Sequence, residues 1–74
     1  METMVLSKVD QGKEVTLAHI KGGRGMKSKL HSMGLVPGAA FTVLSRSRRG
    51  PVILRVKDTR LAIGQGMAQR MIVE

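Results

Sequence analysis

Two histidines, five carboxylates and one glycine-rich loop running into basic residues are the groups in this chain that could do chemistry. Imidazoles and carboxylates serve as proton carriers and as ligands for transition metals when two to four of them converge. His19 and His31 stand twelve positions apart, and Glu2, Asp10, Glu14, Asp58 and Glu74 are scattered, so no pair has the spacing of a ligand set. A hydrolytic triad would need one histidine oriented by Asp10 or Asp58 with a serine in reach, and nothing in the order builds one. The absence of cysteine excludes disulfides, cysteine–zinc modules, iron–sulfur clusters and thiol catalysis together. No catalytic residue, metal ligand or cofactor site is expected. The chain reads as a non-enzyme.

The loop Gly22-Gly23-Arg24-Gly25 precedes a helical pattern, where free N–H groups favour anions and Arg24 and Lys27 add charge. The order Gly25-Met26-Lys27-Ser28 nevertheless misses both the P-loop and the dinucleotide fingerprint, so a structural loop is expected. Of the six methionines, Met26, Met33 and Met71 fall at core-facing positions, which favours packing over soft-metal binding.

Positioning these groups falls to one small domain, because 74 residues have room for no second core. The formal net charge is +8. Ten of the thirteen Lys and Arg residues lie between Lys21 and Arg60, opposed only by Asp58. An acidic partner is implied for this middle stretch. Nucleic acid is the alternative partner, since phosphates meet Lys and Arg without sequence preference. Single-strand binders also need aromatic stacking platforms, and Phe41 is the one aromatic residue. The longest uncharged stretch, Ser32 to Ser45, is fourteen residues interrupted by Pro37 and two glycines. A spanning helix needs about 20 apolar residues, so no membrane insertion is expected. Residues Met1 to Asp10 lack a basic-then-apolar signal pattern, and a cytoplasmic location follows as the expectation.

Two-residue alternation dominates the chain. Val15 and Leu17 alternate with polar neighbours and Ile20 follows out of phase, which predicts a strand with a bulge near Ala18-His19. Lys21 to Gly25 is read as a loop. Met26, Leu30 and Met33 share one face of a short helix, Lys27, Ser28 and His31 take the other, and Gly34 is its C-cap glycine. Val36-Pro37-Gly38-Ala39 predicts a type II turn. A strand around Phe41 to Leu44 leads into a polar tip, Ser45 to Gly50, and Val52, Leu54 and Val56 mark a half-buried strand. Asp58-Thr59 turns the chain into Arg60 to Ile63; Gly64-Gln65-Gly66 breaks it, a helical turn is read at Met67 to Gln69, and Met71 to Val73 closes as a strand. The pattern predicts a mostly β fold: a small bent barrel of about five strands with one short helix between the first two.

The run Leu30-His31-Ser32-Met33-Gly34-Leu35-Val36-Pro37-Gly38, followed by Gly50-Pro51-Val52 and Leu61-Ala62-Ile63, resembles the ferrous iron transport protein A (FeoA) family. Gly12-Lys13-Glu14, Gly22-Gly23 and Met71-Ile72-Val73 fit the same pattern, which runs from about Leu6 to Glu74. The resemblance implies one FeoA-like domain over residues 1–74, a Src-homology-3 (SH3)-like barrel located in the cytoplasm with no catalytic residues to transfer. It further implies an accessory role beside the membrane ferrous-iron permease FeoB, which carries a cytoplasmic GTP-binding region. The same domain type is appended to metal-dependent repressors, so relatives are often described as binding transition metals. One departure is Gly64-Gln65-Gly66, where many relatives carry charged residues. Leu35, Val36 and Pro37 at the helix-to-strand corner are the candidate docking contacts. Arg46, Arg48 and Arg49 are candidate electrostatic guides. For Leu35, burial as the apolar contact of the helix cap is the competing expectation.

Overall fold

Apolar alternation builds most of the molecule, and every strand pairing is antiparallel. The structure is a computed structural model and describes residues 2–74. Strand β1 (Met4–Val5) runs into a 3-10 turn (Leu6–Lys8) and on to β2 (Glu14–Ile20). Helix α1 (Arg24–Ser32) follows, then β3 (Ala40–Ser45), β4 (Val52–Val56), β5 (Thr59–Ile63), the four-residue helix α2 (Gln65–Ala68) and β6 (Met71–Val73). They form one six-stranded sheet in the order β1-β6-β2-β3-β4-β5.

Two expectations are corrected here. The sheet has six strands, because Met4 and Val5 pair with Val73 and Ile72, a two-residue ladder too short to carry an alternation signal. The sheet is also not closed by hydrogen bonds, since β1 and β5 are its edges. The seam between those edges is filled differently. The 3-10 turn that follows β1 touches α2, which follows β5, and each places one fully buried residue in the core, Leu6 and Ala68. Helical turns cover edges that a strand ladder would otherwise have to pair.

The bulge in β2 is where the pattern placed it. The register with β6 shifts between Leu17 and His19, and that extra residue lets Leu17 and Ile20 both face the core while His19 stays exposed. In β4, Val52, Leu54 and Val56 are buried and Arg55 is exposed. The β4–β5 turn is Lys57-Asp58, with Val56 opposite Thr59, so Thr59 opens the strand rather than sharing the turn. Lys57 takes the positive φ of 56° that this tight turn demands.

Helix α1 begins two residues earlier than the glycines suggest. The Lys27 N–H donates to Gly23 O at 3.1 Å and closes the first turn, which takes Arg24 and Gly25 into the helix. Leu30 is fully buried, Met26 and Met33 pack half-buried against the core, and Lys27, Ser28 and His31 face solvent. The helix ends in a Schellman motif: Gly34 N–H donates to His31 O and Leu35 N–H to Leu30 O, both at 3.0 Å, with Gly34 at φ +90°. The type II turn follows, with Ala39 N–H donating to Val36 O at 2.9 Å and Gly38 at φ +93°. Helix α2 likewise starts earlier than expected, at Gln65, because Ala68 N–H donates to Gly64 O at 2.9 Å.

Two alanine substitutions, one inside α1 and one just past its C-terminal end, should shift stability in opposite directions. A Cβ at Gly25 meets nothing within 4 Å and the position is helical, so Gly25→Ala should stabilise by about 0.4–1 kcal/mol. At Gly34 the nearest atom is an ordinary 3.7 Å away, but the left-handed backbone disfavours any Cβ. Gly34→Ala should cost about 1–2 kcal/mol. Paired thermal melts check both signs; equal signs would contradict the conformational account.

Candidate functional site

The arginine-rich tip between β3 and β4 is held in place by hydrogen bonds from distant parts of the chain. Arg46 Nη1 donates to the carbonyls of Ser7 and Val9, each at 3.4 Å, tying one side of the tip to the 3-10 turn. Gln65 Nε2 donates to Ser47 O at 2.8 Å and to Gly50 O at 3.0 Å, tying the other side to α2. Within the tip, Gly50 N–H donates to Ser47 Oγ at 2.7 Å. A Cβ on Gly50 would also meet that oxygen at 2.7 Å, so a larger residue there would turn the Ser47 hydroxyl aside and break this bond. Ser7, Lys8, Arg46, Ser47, Arg48 and Gln65 together line a cleft of about 320 Å³ at the seam of the sheet.

Arg46, Arg48 and Arg49 are exposed, and Arg49 lies outside the lining of the cleft. At the helix-to-strand corner the outcome divides. Leu35 is fully buried in the core with Leu30, so it presents no docking surface. That corrects its reading as a contact, and the reason is the Schellman motif, whose closing apolar residue packs inward. Val36 remains 40% exposed and Pro37 is exposed. The corner precedes β3 and the tip follows it, so six strand residues, or roughly 20 Å, separate them along the strand. The molecule itself extends only 28 × 27 × 23 Å. The sequence-derived site is therefore two patches at opposite ends of one strand.

All ten basic residues between Lys21 and Arg60 are exposed, but they occupy several regions. Arg24, Lys27 and Lys29 lie on α1; Arg46, Arg48 and Arg49 lie on the tip; Arg55 stands directly opposite Arg60 on β4 and β5. Phe41 is 2% exposed, which removes the one aromatic ring from any surface. His19 and His31 are both exposed, on β2 and α1. Among the described residues no three His, Cys, Asp or Glu side chains come together in a geometry that could hold a metal ion. No helix among them is long and apolar enough to cross a membrane.

Sequence reasoning missed Ser7, Lys8 and Gln65. The contacts to Arg46 span 37 and 39 positions and those from Gln65 span 15 and 18, distances at which local pattern carries no signal. Gln65 did stand out, as the middle of the Gly-Gln-Gly departure from the family pattern. In the structure its side-chain amide holds the carbonyls of Ser47 and Gly50.

A family model described as the FeoA domain matches residues 4–74. A curated protein of Methanocaldococcus jannaschii named "Putative Fe(2+) transport protein A" is 38% identical over 93% of this chain and 83% of its own length. A crystal structure described as iron uptake regulatory protein (FeoA) superposes with a TM-score of 0.92 at 40% identity, covering 99% of this chain and 97% of that one. A manganese-dependent transcriptional repressor in complex with manganese gives a TM-score of 0.89 at 21% identity, covering all of this chain but 37% of the repressor. That last likeness is one of fold.

Proposed function

The chain belongs to the FeoA family, which is involved in Fe(2+) transport, and on that premise we propose that it is a non-enzymatic, cytoplasmic accessory of ferrous-iron uptake. It docks on the cytoplasmic GTP-binding region of the membrane permease FeoB, with the arginine tip as electrostatic guide and Val36 and Pro37 as an apolar contact. The observation that supports this most is the tip itself: three exposed arginines on a loop fastened by hydrogen bonds from both sides. A loop whose backbone is tied in place loses less conformational freedom on meeting a partner, so more of its interaction energy is available as affinity. Rim charges of this kind mainly set association rate, whereas an apolar contact sets lifetime. Iron enters the proposal as the permease's cargo.

The nucleic-acid alternative has less support. Its stacking platform would have to be Phe41, which is buried, and the basic residues do not form one stripe. Capture from detergent-solubilised membranes after nuclease treatment separates the two readings. The permease should be retained on the immobilised protein, and retention should vanish from membranes that lack it. Retention of an oligonucleotide at physiological salt, with no permease captured, would overturn the adaptor reading.

A further inference from the structure

We propose that the seam cleft is a binding site for the diphosphate or polyphosphate group of a small phosphorylated ligand. The lining contains three cationic side chains, Lys8, Arg46 and Arg48, two hydroxyls, Ser7 and Ser47, one amide, Gln65, and no carboxylate. Three cations around one cleft call for a multiply charged anion, since a single carboxylate would neutralise only one of them. Guanidinium groups present several N–H donors in a fixed fork that matches phosphate oxygens. Arg46 uses Nη1 on the backbone and keeps its remaining donors. Ser47 Oγ accepts from Gly50 N–H, which leaves its own hydrogen free to donate.

The backbone frame of the cleft is tied together by side-chain hydrogen bonds. The two hydrogen bonds of Gln65 and the two of Arg46 hold the tip against α2 and the 3-10 turn, so Arg46 is already in place, while the exposed Lys8 and Arg48 side chains are ordered on binding. The volume of about 320 Å³ lies at the lower end of small-molecule sites. No aromatic side chain lines it, so no base would be stacked and the phosphates themselves are what is recognised. This inference goes beyond the accessory role and does not require a permease.

The test is a titration of isotopically labelled protein with inorganic pyrophosphate, followed by amide chemical shifts. Saturable shifts should gather at Ser7, Lys8, Arg46 to Arg48 and Gln65. Lys8→Ala with Arg48→Ala should raise the dissociation constant at least about tenfold, as expected for losing two charge-assisted contacts. Both residues are exposed, and an unchanged thermal melt will show that the fold persists. Arg55→Ala with Arg60→Ala removes the same charge from the outer face of β4 and β5, and should change the constant less than threefold. Inorganic phosphate should bind more weakly than pyrophosphate at the same amides, while ATP should match pyrophosphate if the base makes no contact. Equal losses from the two double variants, shifts spread over all basic residues, or tighter binding of an acidic peptide than of pyrophosphate at these amides would each overturn the proposal.

Discussion

Leu35→Asp should abolish the folded state, whereas Val36→Asp, one residue along, should leave it intact. Leu35 is fully buried and Val36 is 40% exposed. Emptying a buried leucine site costs about 2–5 kcal/mol even when alanine replaces it. An unpaired carboxylate in the same place adds the cost of removing a charge from water. A domain of 74 residues has a total stability of roughly 4–11 kcal/mol at ordinary values per residue, so the aspartate consumes most or all of it. Circular dichroism should show loss of the cooperative melt for Leu35→Asp at room temperature. For Val36→Asp the midpoint should move by no more than about 4 °C, the shift that half a kilocalorie produces in a domain of this size. A Leu35→Asp protein that melts like the parent would refute the buried cap. On a docked permease, Val36→Asp should speed dissociation while leaving association nearly unchanged.

How far the sequence reaches can be judged from this corner and the tip. The bulge, the helix face, the Schellman glycine and the type II turn were all legible, because each is fixed by residues within a few positions of one another. Leu17 and Ile20 falling out of phase can only both be buried if an extra residue intervenes, and the register shift lies there. Strand β1 was not legible: two residues have no period, and they form a strand only because Val73 and Ile72 lie alongside. The way the sheet meets itself was equally hidden, since it depends on a 3-10 turn near residue 7 touching a helix near residue 66. For the site, exposure of the arginines followed from their type. What the arginines are fastened to did not, because Gln65 and the Ser7 carbonyl reach the tip from remote parts of the chain. Leu35 and Val36 show the limit most sharply. Adjacent apolar residues are indistinguishable by hydropathy, and only the helix cap decides which one turns inward.

Arg48→Glu with Arg49→Glu should slow association with the permease's cytoplasmic region by at least about tenfold at low ionic strength. Both side chains are exposed, so the fold should survive the change. The double substitution reverses two charges on the tip proposed to guide encounter. The difference from the parent should shrink as salt is raised, because screening shortens to about 10 Å at 0.1 M. Dissociation should change less than association, since rim charges act mainly on encounter. Stopped-flow or surface-binding kinetics at several salt concentrations separate the two rates. An unchanged association rate at low salt, in a variant shown to be folded, would mean that the tip does not guide docking.

The most direct measurement is equilibrium binding between this protein and the purified cytoplasmic GTP-binding region of the permease, each shown to be folded, at low and at physiological salt. Binding should be saturable and one-to-one, should weaken as salt rises, and should be further weakened by Val36→Asp. No binding at low salt, where electrostatic attraction is strongest, would contradict the docking claim.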